Sequence, residues 1–142
     1  MENIDWLKML EYKQALSHLS RELLTQNQEK TLTASELEIL SILYLYPEES
    51  TPLELSRKSG MKKEAVSRCL KQLFNKDCIT KEKHPSDERS YLLSLTQTGN
   101  DKLKENYSII LKPLYDLQRQ LGGDFKTLFE LIISANKSIE KN

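Results

Sequence analysis

A chain of 142 residues is long enough for one domain with a real core, and with 30% of its side chains charged it is polar enough to stay in water. No apolar run approaches the roughly 18 residues a membrane span needs. The acidic start Met1-Glu2-Asn3-Ile4-Asp5 lacks the charge pattern of a signal peptide, which places the chain in the cytoplasm. Formal charge is zero but unevenly spread: from Arg57 to Arg89 ten basic residues stand against five acidic ones, a local +5 that the two ends must offset. A basic middle between acidic ends suits a protein that turns one face to phosphate, although charge runs are also found on plain solvated surfaces.

The first segment reads as a helix from Ile4 to about Leu24, with Ile4, Leu7, Leu16, Leu19 and Leu23 near helical spacing and no Gly or Pro. A polar linker, Gln26 to Lys30, follows. Thr33-Ala34-Ser35-Glu36 has the form of a capping box, in which the hydroxyl and the carboxylate each take an amide proton from the other's residue. It opens a helix with Leu37, Leu40, Leu43 and Tyr44 on one side, which Pro47 ends. Thr51-Pro52-Leu53-Glu54 has the form of a second box, with Pro at the first helical position. Gly60 stops that helix early by allowing a positive φ in a tight turn.

The next helix, from about Lys62 to Asn75, has Val66, Leu70 and Leu73 to hold it, flanked by Phe74. Lys63, Glu64, Ser67, Arg68 and Lys71 make its outward side. Lys62 and Lys63 sit where the helix dipole disfavours cations by roughly 0.3–1 kcal/mol, a placement that a nearby phosphate explains and that plain solvation also permits. Arg68 has the chemistry to grip guanine through two hydrogen bonds.

Cys78–Lys83 and Tyr91–Leu95 read as two strands joined by the charged loop His84-Pro85-Ser86-Asp87-Glu88-Arg89-Ser90. Arg89 suits a narrow minor groove. Asp87 repels phosphate, so its expected role is to orient Arg89 or tie the loop back to the basic helix, with a purely structural salt bridge as the competing reading. A long helix then starts at Thr96-Gln97-Thr98-Gly99, lined by Leu103, Tyr107, Ile110, Leu111, Leu114, Leu117 and Leu121 and kinked at Pro113. Gly122-Gly123 breaks it, and Asp124 caps a last helix bearing Phe125, Leu128, Phe129, Ile132 and Ile139.

A short helix buttressing a basic helix, followed by a charged hairpin, is a plan for reading duplex DNA. The fold class expected is mainly α with a small β-hairpin (α+β), a winged helix-turn-helix core plus a helical dimerisation lobe. The winged lobe covers residues 33–97 of a single domain, and residues 1–28 and 98–142 form the helical lobe. The residues expected on DNA are Thr51, Lys62, Lys63, Glu64, Ser67, Arg68, Lys71, Lys83, Ser86 and Arg89, with Asp87 supporting the wing. The helix from about Thr98 to Leu121 would run roughly 36 Å, longer than a small winged-helix core can cover. Its apolar stripe and those of the terminal helices therefore call for a second copy, through Ile4, Leu7, Leu117, Leu121, Phe125, Leu128 and Ile132. Two-fold pairing would set two recognition helices about 34 Å apart, one turn of duplex.

The order of elements, with Leu55-Ser56, Gly60-Met61, Val66-Ser67-Arg68, Leu73, Asp87-Glu88-Arg89 and Leu95-Thr96-Gln97-Thr98-Gly99, resembles the MarR family of winged helix-turn-helix regulators over about residues 30 to 105. The resemblance implies a homodimer on a pseudo-palindromic operator, a repressor released by a small ligand or another signal. It carries Lys62 to Lys71 over as the recognition surface and Arg89 as the wing-tip contact. The chain departs from the family at Lys62, where a capping Ser or Asp is common, and in having no Cys before Cys69, where the family's peroxide-sensing branch carries one. His18 and His84 are too few for the zinc-sensing type, so no metal and no cofactor is expected. Cys69 and Cys78 read as buried small apolar residues, with a redox switch as the alternative. Tyr12, Tyr44 and Tyr107 are candidates to line an effector pocket, against the reading that they are core. With four Gly, no nucleophile elbow and no phosphate-binding loop, an enzyme is not expected. The alternative function is a winged-helix protein-interaction module that never binds DNA.

Overall fold

The core is built around one helix that is buried on most of its circumference. In the computed structural model, which describes residues 1–24, 32–48 and 50–140, the elements run α1 (Trp6–Leu24), α2 (Ala34–Leu45), α3 (Pro52–Ser59), α4 (Lys63–Asn75), β1 (Ile79–Lys83), β2 (Tyr91–Leu95), α5 (Gln97–Leu121) and α6 (Asp124–Glu140). The polar linker read at 26–30 lies outside the described residues. This is the expected class, mostly helical with one antiparallel hairpin. The chain divides into two units, Met1–Gln26 with Ile109–Asn142, and Asn27–Ser108. No described helix is long and apolar enough to cross a membrane.

In the second unit α3, α4 and β2 all pack on α2. That explains why Leu37, Ile39, Leu40, Ile42 and Leu43 are all buried, where one-sided periodicity predicted fewer. It also puts Tyr44, expected on the buried side, among the exposed residues. The Thr33 capping box forms as read: Glu36 N donates to Thr33 Oγ1 at 3.1 Å, and Thr33 N donates to Glu36 Oε1 at 2.7 Å. The second box forms only in half. Thr51 Oγ1 accepts from Glu54 N at 3.2 Å, but the Glu54 carboxylate turns to Arg57 Nη1 at 2.7 Å instead, a guanidinium being the stronger partner.

Gly60 has φ +73° and closes α3, its N–H donating to Ser56 O at 3.0 Å. Ser56 Oγ then donates to Met61 O at 2.7 Å, which fixes the turn into α4. The hairpin pairs Ile79 with Leu95, Lys81 with Leu93 and Lys83 with Tyr91. Leu93 N also donates to Ser50 O at 3.0 Å, stitching the hairpin to the segment before α3. Cys78 precedes the first strand residue, and its thiol is buried.

Thr96 starts α5 in two ways. Its hydroxyl accepts from Gly99 N at 3.0 Å and donates to Asp77 O at 2.5 Å. Gly99 is buried against the Cys78 backbone, and an added Cβ would strike the Cys78 carbonyl oxygen. The Leu-Thr-x-x-Gly string thus has a physical cause: a hydroxyl to cap and no side chain where the helix meets the hairpin.

The first unit is different. Neither α1 nor α6 contains a buried residue. α1 begins at Trp6, after Asp5, whose carboxylate accepts from Lys8 N at 2.9 Å. Ile4 therefore lies outside the helix in which periodicity placed it. Asp124 is the first residue of α6 and lies in its first turn, not ahead of it as a cap.

Candidate nucleic-acid interface

On α4 the apolar spacing does what it predicts. Val66, Cys69, Leu70 and Leu73 are buried, and Lys63, Glu64, Ser67, Arg68 and Lys71 are all exposed. Residues one turn apart on the outward side therefore share a face that is free of packing. Lys62 occupies the N-cap with no side-chain hydrogen bond, so the first-turn amides of α4 are not closed by a side chain. Thr51 is half-buried, its hydroxyl engaged by Glu54 N.

The ten bases counted between Arg57 and Arg89 divide into two groups. Lys76 Nζ lies 2.8 Å from both oxygens of buried Glu36. Arg57 pairs with Glu54, Lys58 sits 4.2 Å from the Tyr46 ring centroid, and Lys81 sits 5.2 Å from that of Tyr91. Lys62, Lys63, Arg68, Lys71, Lys83 and Arg89 are exposed and form no ion pair among the described residues. The uncommitted bases thus gather on α4 and the hairpin, all within one unit.

The hairpin loop is organised around Asp87. Its Oδ1 accepts from Arg89 N at 3.0 Å, and its carbonyl accepts from Ser90 N at 3.1 Å. Asp87 thus meets Arg89 through the backbone. Neither the salt bridge between their side chains nor a tie to α4 forms among the described residues. Lys83, Ser86, Asp87 and Arg89 are all exposed. His84, with His18 too few for a metal site, has a structural role that the sequence reading did not assign: its Nδ1 accepts from both Ser86 N and Asp87 N. A His-Pro-Ser-Asp string is the signal that could have marked it as a turn former.

Glu36 and the thiols form the buried electrostatics behind α4. Burial pushes the Glu36 carboxyl up, but the bonds from Lys76 and Thr33 outweigh it and hold the group below its ordinary value. Burial pushes the Cys69 thiol up to about 11, with the Glu36 charge adding to it. Burial likewise raises Cys78. Both cysteines are free and buried.

Of the tyrosines read as pocket candidates, Tyr12 falls in the first unit and Tyr44 and Tyr107 in the second, each about half exposed. Tyr44 borders an open depression with Leu95 and Asn100. Among the residues expected at a dimer contact, Leu7 is 60% exposed, Ile4 and Leu121 are exposed, and Leu117, Phe125, Leu128 and Ile132 are half-buried. Trp6, Leu131 and Ile133 are more than half exposed on the same helices and were missed, because a helix read alone gives no reason to prefer a second apolar stripe.

A short helix, a glycine turn, an outward-facing basic helix and a hairpin define the winged helix-turn-helix class. Residues 32–91 match the model of the MarR family. The match runs from just before α2 to the first residue of β2, within the span over which the sequence resembles the family, and the family is one of transcription regulators, not enzymes. An uncharacterized HTH-type transcriptional regulator of Bacillus subtilis, YdgJ, is 32% identical over 75 residues. That match spans 53% of this chain and 45% of the relative, so the chain spans less than half of that protein's length. Among solved structures, AbsC, a MarR family transcriptional regulator from Streptomyces coelicolor, aligns over 100% of both chains with a TM-score of 0.72 at 16% identity. Bordetella bronchiseptica BpsR, whose DNA binding is regulated by 6-hydroxynicotinic acid, aligns over 94% of this chain and 99% of its own with a TM-score of 0.65 at 15% identity. At those identities the likeness is one of fold.

Proposed function

We propose that this chain is a cytoplasmic, homodimeric, DNA-binding transcriptional regulator, a repressor that leaves a pseudo-palindromic operator when a small ligand or another signal reaches it. The observation that carries the reading is the division of α4, with Val66, Leu70 and Leu73 buried and Lys63, Ser67, Arg68 and Lys71 exposed without ion pairs. Such a helix offers donors to base edges and phosphates at no cost to its own packing. Thr51, Lys62, Lys83, Ser86 and Arg89 extend the surface along the backbone, Glu64 accepts from bases, and Asp87 supports the wing. The second copy covers the apolar side chains of α1 and α6 through the set from Ile4 to Ile132 named above. Effector release follows the precedent of BpsR, with Tyr12, Tyr44 and Tyr107 as lining candidates.

Selection of bound fragments from genomic DNA by the purified protein, then titration of the selected duplex against salt, tests the reading. Affinity falls steeply with salt, and Arg68→Ala weakens the selected sequence more than a scrambled one. Absent or salt-insensitive binding would favour a protein-interaction module.

A further inference from the structure

The loop between the strands has an anchor that the basic residues do not explain. His84 Nδ1 accepts from Ser86 N at 3.1 Å and from Asp87 N at 3.0 Å, with Ser86 Oγ at 3.5 Å. Two backbone N–H groups can point at one ring nitrogen only if it carries a lone pair. That fixes the neutral tautomer with its proton on Nε2. Pro85 between them pre-sets the turn and has no N–H to compete. The bond to Asp87 N continues outward: the Asp87 carboxylate holds Arg89 N, and the Asp87 carbonyl holds Ser90 N. Asp87 is therefore tied on three sides, and the His84 ring is the tether nearest the strand.

We propose that His84 is the positioning residue of the wing tip: its neutral ring fixes Asp87, and through Asp87 the backbone of Arg89, and protonation of the ring releases the tip. Protonation turns Nδ1 from acceptor into donor, so both amides lose their partner at once. Along its own hairpin the charged and titratable neighbours in sequence are Lys83 before it and Asp87, Glu88, Arg89 and Tyr91 after it, with Tyr91 paired to Lys83. No charged side chain of α2, α3 or α4, the helices packed on the hairpin, is hydrogen-bonded or ion-paired to the ring among the described residues. The consequence for the loop stands on geometry alone, and the consequence for DNA rests on the regulator reading.

The test uses the full chain, wild type and two variants. His84→Asn keeps an acceptor where Nδ1 sits, since an Asn carbonyl can take the amides two and three residues on, but it does not titrate. His84→Ala removes the acceptor. Ring and amide nitrogen resonances are followed from about pH 7.5 downwards until the ring's own signals report its protonation. The expected result is a proton on Nε2 at the upper end, Ser86 and Asp87 amide signals that move together with ring protonation, fixed signals in His84→Asn, and shifted signals at every pH in His84→Ala. A proton on Nδ1, or amides indifferent to His84→Ala, overturns the proposal. A mixed-sequence duplex then reads the function through Arg89→Ala in each background, which cancels the general gain in cation charge at low pH. The factor lost on Arg89→Ala, about three- to tenfold at the upper pH, shrinks towards one on acidification in the wild type and persists in His84→Asn. An equal shrinkage in both overturns the link from ring to Arg89. Failure of every variant to bind duplex counts against the regulator reading, and the ring and amide signals still decide the anchor.

Discussion

Glu36 shows how a residue can be misjudged when its partner is distant. Its carboxylate is almost fully buried, closes the α2 capping box and takes both contacts from Lys76, forty positions away in sequence. Counted by charge, Lys76 is one of the ten bases of the chain's middle. In the fold it neutralises a buried acid, because a carboxylate without a partner there would be costly. Lys76→Met should lower stability by about 1–3 kcal/mol in urea melts at neutral pH, and adding Glu36→Gln should recover part of the loss. The pH dependence has a definite sign. A carboxyl held below its ordinary value lends stability that is whole above the ordinary 4.5 and drains away as pH falls through the lower folded value. Acid should therefore destabilise the wild type more than the double variant, and equal acid sensitivity would show that the pair contributes nothing. Cys69, its thiol raised to about 11, should react with an alkylating reagent at neutral pH only on unfolding. Rapid labelling of the native protein would revive the redox reading. Burial of the two cysteines was legible from residue type alone. The competition for Lys76 was not, since nothing local marks a contact made across the fold.

At the scale of elements, what the sequence made readable is what is local. The Thr33 box spans four residues, and so does the Thr96 cap. Gly60 lies in the turn its position implied. Alternation of buried and exposed residues on α4 follows from a helix with one packed side. The same rule failed for α2, where neighbours on several sides bury more than one stripe, and for Tyr44, which periodicity alone put inside. Glu54 could satisfy a box or an arginine, and only the folded geometry chose. The α5 start gives the sharpest element-level prediction. Gly99→Ala forces a methyl onto the Cys78 carbonyl, and an overpacked site of this kind costs about 1–3 kcal/mol. Thermal melts should show that loss, and Gly123→Ala, where a Cβ meets nothing within 4 Å, should melt like the wild type.

For the whole molecule, the two units differ in how well the chain covers its own apolar side chains. Leu37, Ile39, Leu40, Leu55, Leu73 and Leu93 are closed off in the second. In the first, Trp6, Leu7, Leu16, Leu131 and Ile133 stay more than half exposed. Exposed apolar surface of that kind marks a site of association. Sedimentation at micromolar concentration should give a dimer, and Leu7→Glu with Leu131→Glu should give monomers whose winged unit keeps its fold. A wild-type monomer would remove the two-fold arrangement from the account.

The central claim is that the uncommitted bases on α4 and the wing meet duplex DNA, and its most direct test is the salt dependence of binding. With Lys62, Lys63, Arg68, Lys71, Lys83 and Arg89 exposed, the logarithm of affinity for the selected duplex should fall against the logarithm of salt with a slope of roughly −5 or steeper. It should flatten by about one unit per base removed when Lys63 or Lys71 becomes Ala. A slope near zero, or one unchanged by those substitutions, would contradict it.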